Sequence, residues 1–302
     1  MGRVIVVANQ KGGVGKTTTA VNLAACMAQM GKRTLLIDAD PQGNATSGLG
    51  VDKRSLKSSV YDVMINRLPA QEAIRATEVA GLDILPSNID LAGAEIEMVS
   101  LISRETILAQ AIQPLVEQYD FLFIDAPPSL GLITINAFAA ANQVLIPIQC
   151  EFYALEGLSQ LVKTISLIKK HINKDLEVEG VVLTMYDGRT NLSIQVVEEV
   201  KRFFAEKVHR AVIPRNVRLG EAPSHGKPIT VYDPKCAGAE AYMDLAKEFL
   251  ETEDEDGEKG VGQGIGGAHG HGRGLAGNGK AAGPGSGHSE DRHQQGTAAQ
   301  AL

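Results

Sequence analysis

Short, nearly unbroken apolar runs recur along the first 250 residues, and the stretches between them bring apolar positions back every three or four residues. The runs read as strands: Val4–Ala8, Thr34–Asp38, Leu82–Pro86, Phe121–Asp125, Val144–Ile148, Val178–Thr184 and Ala211–Ile213. The periodic stretches read as helices: Thr17–Met30, Leu91–Met98, Arg104–Gln118, Leu155–Lys170, Leu192–Val208 and Ala237–Leu250. Pro114 is expected to kink or break the third, because proline cannot donate the helical hydrogen bond and its ring clashes with the preceding turn. Strands this continuously apolar are buried on both faces, as in a parallel sheet covered by helices. The alternation therefore predicts an α/β chain with a doubly wound, mostly parallel sheet, whose ligand chemistry sits at the carboxyl ends of the strands. With no internal repeat and no interior Pro-, Gly- or Ser-rich linker, residues 1–250 are expected to form one domain.

The pattern stops at Glu251. ETEDEDGEKG and VGQGIGGAHGHGRGLAGNGK carry almost no large apolar residue, so they cannot bury enough surface to offset the entropy of ordering. Residues 251–302 are expected to be a disordered Gly-rich and acidic tail, with Glu251–Glu258 as a solvated helix exit and His269 and His271 as tail residues rather than a metal site. Hydrophobic residues make up 44% of the chain, but aromatics only 4% and Trp is absent, which fits a Val/Ile/Leu/Ala core. No stretch is long enough to span a bilayer and no basic-then-apolar leader is present, so the expectation is a cytoplasmic protein with no membrane partner. Cys26, Cys150 and Cys236 are scattered, with no C-x-x-C, and are expected as reduced thiols. A formal charge of −7 argues against a generally basic coat, so any nucleic-acid contact has to come from a local patch.

The densest chemistry lies at residues 9–19, NQKGGVGKTTT. The pattern G-x-x-x-x-G-K-[ST] is met at Gly15-Lys16-Thr17, but its opening glycine falls on Gln10, with Lys11 and Gly12-Gly13 standing in place of the usual opening. Glycines let the backbone curl so that successive N–H groups face phosphate oxygens. Lys11, Gly12, Gly13, Val14, Gly15, Lys16, Thr17 and Thr18 are thus the candidate phosphate cradle, between a strand and the N-terminus of a helix. Lys16 would reach the β- and γ-phosphates and the Thr17 hydroxyl would sit on Mg²⁺, so a nucleoside triphosphate with Mg²⁺ is the expected ligand. Two further strands run into acids, at Asp38-Ala39-Asp40 and at Asp125. Asp125 fits the carboxylate that a P-loop enzyme presents to the Mg²⁺ shell.

KGGVGKTT resembles the deviant Walker A loop of the ParA/MinD/nitrogenase-iron-protein superfamily. The resemblance implies that Lys11 crosses an ATP-bridged homodimer to the partner subunit's phosphates. DADPQGNATSGLG, LAGAEIE, FLFIDAPPSLGLITINA, EGVVLTMYDGRTNL and VIPRNVRLGEAPSHGKPI resemble the chromosomal ParA subgroup known as Soj, over residues 2–250. By that match Lys11, Lys16, Asp40 and Asp125 are the catalytic set: Asp40 orients the attacking water, Asp38 supports structure, and Thr17, Asp40 and Asp125 form the metal set. Pro214-Arg215-Asn216 corresponds to the adenine-binding segment, and Arg189 and Arg218 to DNA-contacting positions, with Lys201, Arg202, Lys207 and Arg210 as weaker extensions. His225 reads as a turn or packing residue. The resemblance further implies a slow ATPase whose ATP-bound dimer binds double-stranded DNA without sequence preference. A ParB-like partner would stimulate hydrolysis and release it, a replication initiator would be a further partner, and the protein would be nucleoid-associated. Because the chain begins at its first strand, no helix-turn-helix and no operator binding are expected. A membrane-cycling relative would need a basic amphipathic C-terminal helix and a cluster carrier would need paired cysteines; neither is evident. A non-enzymatic scaffold would not need Lys16, Thr17, Asp40 and Asp125 intact.

Overall fold

The computed structural model describes residues 2–151 and 158–261. The strands are β1 (Arg3–Val7), β2 (Thr34–Asp38), β3 (Arg75–Ala76), β4 (Leu82–Leu85), β5 (Phe121–Asp125), β6 (Gln143–Gln149), β7 (Glu177–Tyr186) and β8 (Val208–Pro214). They form one sheet in the order β3-β4-β2-β5-β1-β6-β7-β8. Every pairing is parallel except β3 with β4. The helices are α1 (Lys16–Gln29), α2 (Asn44–Gly48), α3 (Val60–Met64), α4 (Ala70–Ala73), α5 (Leu91–Glu97), α6 (Ile107–Ile112), α7 (Leu132–Ala140), α8 (Leu158–His171), α9 (Asn191–Phe204), α10 (Val217–Glu221), α11 (Ile229–Tyr232) and α12 (Ala237–Val261).

Alternate residues of each central strand serve opposite faces. Val4 and Val6 of β1 with Leu122 and Ile124 of β5 join the layer built by α3 to α9. Ile5 and Val7 with Phe121 and Phe123 join the layer built by α1, α2, α10, α11 and α12. All five residues of β2 and of β5 are buried, as the unbroken apolar runs predict. The parallel Phe121 and Phe123 rings lie 6.0 Å apart beneath α1 and α12, and each such burial contributes about 2 kcal/mol. No helix among the described residues is long and apolar enough to cross a membrane.

Several elements depart from expectation. The helix expected over Arg104–Gln118 breaks where Pro114 stands, so α6 ends at Ile112 and a 3₁₀ turn, Gln113–Leu115, follows. Leu192–Val208 divides as well: α9 stops at Phe204, and Val208 already belongs to β8. Leu155–Gly157 lie outside the described residues, and α8 is described from Leu158. α12 does not end at Leu250 but continues through the acidic run to Val261, since Glu and Lys are good helix formers on a helix already anchored by Tyr242, Leu245 and Phe249. His269 and His271 lie outside the described residues.

Candidate functional site

The carboxyl ends of β2, β5 and β1 stand side by side, with Asp38 paired to Asp125 and Asp125 to Val7. The loop from Ala8 to Gly15 leaves β1 in the middle of the sheet and is held from both flanks. Asn9 donates its Nδ2 to the Pro147 carbonyl at 2.7 Å, and its Oδ1 accepts from the Lys11 N–H at 3.0 Å. The Thr184 hydroxyl, arriving on β7, donates to the Val14 carbonyl at 2.8 Å. Gly13 and Gly15 take φ of +75° and +89°, the left-handed region that glycine enters without strain. Their curl brings the loop to the start of α1, whose N-terminal N–H groups and dipole favour an anion.

Lys16 lies back across this loop, its Nζ donating to the Lys11 carbonyl at 3.1 Å. Burial lowers its pKa, while the charges of Asp125 and Asp40 pull the other way. Lys11 contributes backbone to that contact and is half-buried, but its side chain is not among those lining the cleft. The cleft itself, about 640 Å³, is walled by Gly12, Gly13, Lys16, Thr17 and Asp40 on one side and by Pro127 to Ser129 on the other. Val14 faces inward, 1% exposed.

The three carboxylates are used differently. Asp38 accepts from the Asp40 N–H at 3.2 Å, the Thr46 N–H at 2.8 Å and the Thr46 hydroxyl at 2.6 Å, and the Ser87 N–H donates to that hydroxyl at 2.9 Å. Its pKa rises to about 6 through burial, despite those donors. It is a structural brace, as expected from sequence. Asp40 stands on the cleft wall with one oxygen accepting from the Gln42 N–H at 2.9 Å. Asp125 is fully buried, and neither of its oxygens has a hydrogen-bond partner among the described residues. Burial, then the neighbouring Asp38 charge, pushes its pKa well above the usual carboxylate value. The Thr17 hydroxyl and Lys16 ammonium act against that rise from nearby, the hydroxyl without a hydrogen bond of acceptable geometry.

An orphaned buried carboxylate beside a threonine hydroxyl fits Mg²⁺. Among the described residues no group of three or more His, Cys, Asp and Glu could hold a metal by itself. That suits an ion which keeps waters and binds through one or two carboxylates plus substrate phosphates. A divalent ion would supply the charge that Asp125 lacks.

A second cavity of about 410 Å³ opens from the first, sharing Gly15, Thr18 and Met185 as common walls. It is lined by Pro214, Arg215 and Asn216, with the fully buried Tyr242 of α12 reaching it from the apolar layer. The Asn216 Oδ1 caps α10 by accepting from the Arg218 N–H at 2.8 Å, which leaves its Nδ2 as the donor for a base. Arg215 ties the rim to Glu151 at 2.9 Å. Met185 holds φ of +52°, a left-handed backbone for a non-glycine residue, where the two cavities meet. Thr46, Thr184 and Met185 fall within quoted segments but, like Tyr242, are given no role by the sequence reading, since each meets the site from an element remote from the loop.

Arg189 and Arg218 lie outside both cavities and are already paired. Arg189 makes a two-pronged contact with Asp187 at 2.8 and 2.7 Å. Arg218 meets Glu221 at 2.8 Å and Asp233 at 3.5 Å. Arg210 is bound to Glu248 and Glu251, and Arg202 to Glu199. His225 stacks on Tyr232 with ring centres 4.9 Å apart, the packing role expected.

A family model described as an AAA domain matches residues 2–178. The sporulation initiation inhibitor protein Soj of Bacillus subtilis is 60% identical over 248 residues, covering 82% of this chain and 98% of that protein. The chain belongs to the Soj/ParA family. The chromosome partitioning protein ParA of Myxococcus xanthus, 53% identical, covers 83% of this ParA-family chain and 88% of its own length. A crystal structure from Mycobacterium smegmatis, named a cobyrinic acid a,c-diamide synthase with bound ATP analogue and magnesium, superposes with a TM-score of 0.76 at 38% identity, covering 85% of this chain and 97% of its own. Proteins with different named functions thus share this fold, so fold alone does not choose between them.

Proposed function

We propose that this ParA-family protein is a Mg²⁺-dependent ATPase of chromosome partitioning. The observation that carries the reading is the buried Asp125 carboxylate, without a hydrogen-bond partner among the described residues, beside Lys16 and Thr17, which line a phosphate-sized cleft that shares walls with a base-sized cavity. The 60% and 53% identity to the Soj and ParA proteins favours partitioning over the other functions that share the fold.

The loop N–H groups and the α1 N-terminus take the phosphates, and Lys16 neutralises the β- and γ-oxygens. Thr17, Asp125 and Asp40 would hold the magnesium shell, and the ion would supply positive charge against the phosphates. Asp40, on the open wall, accepts a hydrogen bond from water and fixes its line of attack on the γ-phosphorus. Pro214, Arg215 and Asn216 take adenine, the Asn216 Nδ2 donating to a ring nitrogen. Lys11, whose side chain is not among the walls of its own cleft, reaches the phosphates bound by the partner subunit. Dimerisation then depends on ATP, and hydrolysis undoes it. The dimer doubles the surface carrying Arg189 and Arg218, which track the phosphates of double-stranded DNA without reading sequence, placing the protein on the nucleoid. A ParB-like protein accelerates hydrolysis and so releases the dimer, and a replication initiator is a second partner.

The test is binding of the Asp40→Ala protein to random-sequence duplex DNA with ATP, with ADP and with no nucleotide, across a salt series. Binding confined to ATP and weakening steeply with salt supports the reading. Absence of DNA binding in every state removes the nucleoid model.

A further inference from the structure

The Asp40 turn is exposed on one side, and something has to keep it facing the cleft. From beneath, Asp38, Thr46 and Ser87 brace it through buried hydrogen bonds. Within the turn, the Gln42 N–H donates to the Asp40 Oδ1 at 2.9 Å and the Gly43 N–H to the Asp40 carbonyl at 2.8 Å. On the solvent side the Lys53 ammonium donates to the Gln42 carbonyl at 2.6 Å. Among the described residues it is the one basic side chain that hydrogen-bonds the Asp40–Gly43 turn.

The stem of Lys53 is seated as firmly as its head. A Cβ on Gly43 would lie 2.5 Å from the Lys53 Cδ and 2.8 Å from the Ser87 carbonyl, so the chain crosses Gly43 where only a glycine, at φ of +59°, leaves room. The base of Lys53 is fixed as well. It opens a 3₁₀ turn capped by Asp52, whose side chain accepts from the Arg54 N–H at 3.0 Å, and the preceding Val51 N–H donates to the Thr46 carbonyl at 3.1 Å.

The geometry points to Lys53 as a positioning residue for hydrolysis: by holding the Gln42 carbonyl it fixes the Gln42–Gly43 peptide, whose N–H closes the turn on the Asp40 carbonyl, and so steadies the residue whose own N–H orients the Asp40 carboxylate. This rests on Asp40 handling the attacking water. Lys53 is not itself a lining residue and meets the cleft wall through the Gln42 backbone, away from the phosphate loop, so its loss leaves the loop that binds the nucleotide phosphates in place. What changes is the freedom of the Asp40 carboxylate to rotate away from the line of attack, and an error of about 1 Å in a reacting group costs up to a hundredfold in rate.

The experiment compares wild type, Lys53→Met and Lys53→Arg in steady-state Mg-ATP hydrolysis, with thermal midpoints measured alongside. Methionine keeps most of the stem and removes the donor; arginine keeps a donor. The expected result is a kcat about tenfold lower for Lys53→Met with KM for ATP within about twofold, and recovery of most of the rate in Lys53→Arg. Equal kcat in Lys53→Met overturns the proposal. So does a joint fall of kcat, ATP affinity and thermal midpoint in both variants, which is the signature of a residue that only supports the fold. Wild type without turnover would instead defeat the ATPase reading, and this inference with it.

Discussion

Asp38 and Asp125 end adjacent parallel strands in register, yet among the described residues Asp38 receives three hydrogen bonds and Asp125 none. Two buried carboxylates side by side cannot both ionise cheaply, and burial pushes both pKa values up. Asp38 has donors that hold a charge; Asp125 has none among the described residues. The pair therefore stores a charge deficit that bound cation relieves.

Asp125→Asn removes that deficit. The nucleotide-free variant should be more stable than wild type at pH 7 by about 1 kcal/mol, roughly 2–4 °C in thermal midpoint for a domain of this size. It should also lose the stabilisation that Mg-ATP gives wild type. Thermal scans with and without Mg-ATP read both. A variant that melts lower when free of nucleotide, yet keeps its Mg-ATP shift, would show that Asp125 is a structural acid.

A second buried charge cluster lies away from the nucleotide cavities. His209 meets Glu179 at 2.9 Å and Glu248 at 3.4 Å, and Arg3 approaches Glu179 at 3.8 Å. Burial pulls the His209 pKa down, but hydrogen bonds to the two glutamates win and raise it to about 9. A raised histidine pKa contributes stability that is complete below the unfolded value near 6.5 and is lost as pH climbs through 9. Glu248 has the opposite sense: burial opposes its ionisation, but His209 and two backbone donors hold it at about 2, so its contribution is present above 4.5 and fades as pH falls toward 2. Between pH 6.5 and 9 wild type should lose on the order of 2–3 kcal/mol relative to His209→Gln. Urea titrations of both proteins across that range measure the difference, in which the contributions of Asp38 and Asp125 cancel. A constant difference would show that His209 is neutral in the folded state.

On the proposed function, Arg189 and Arg218 would have to exchange a carboxylate for a phosphate to reach DNA, because each is bridged within its own chain. Both are exposed, so the bridges are weak and the exchange is cheap. Replacing both by alanine should reduce the salt dependence of ATP-stimulated DNA binding by about 0.9 in log–log slope for each lost phosphate contact. Basal hydrolysis should stay unchanged. Fluorescence anisotropy across a salt series reads the slope, and an unaltered slope would put the DNA surface elsewhere.

How much was legible depended on how local each signal is. The long parallel strands were readable because burial on both faces writes an unbroken apolar run, as in Phe121–Asp125. α7 was missed because Ile133, Ala137 and Phe138 bury one side while Thr134 and Asn136 are buried on hydrogen bonds of their own, leaving no polar stripe to mark a helix. β3, two residues long, leaves no period at all. In the site the glycine loop and the strand-end acids are encoded by neighbours in sequence. Thr184, 170 positions from its partner Val14, is encoded only by the fold.

Thr184 yields the last prediction. Its hydroxyl donates to the Val14 carbonyl, and its methyl would lie 3.7 Å from a Cβ on Gly15, so it supports the loop from behind, as a wall of the second cavity rather than of the phosphate cleft. Thr184→Val keeps the shape and removes the donor, leaving a carbonyl unpaired in a buried place at a cost of about 1 kcal/mol or more. The loop no longer has its curl fixed in advance, so ordering it becomes part of binding. ATP affinity should fall about five- to tenfold, with the larger share in the dissociation rate. Calorimetry and stopped-flow with a fluorescent nucleotide separate the two. An unchanged affinity would mean that Gly13, Gly15 and the Asn9 contacts set the loop without Thr184, and that the β7 contact serves only the packing of the sheet.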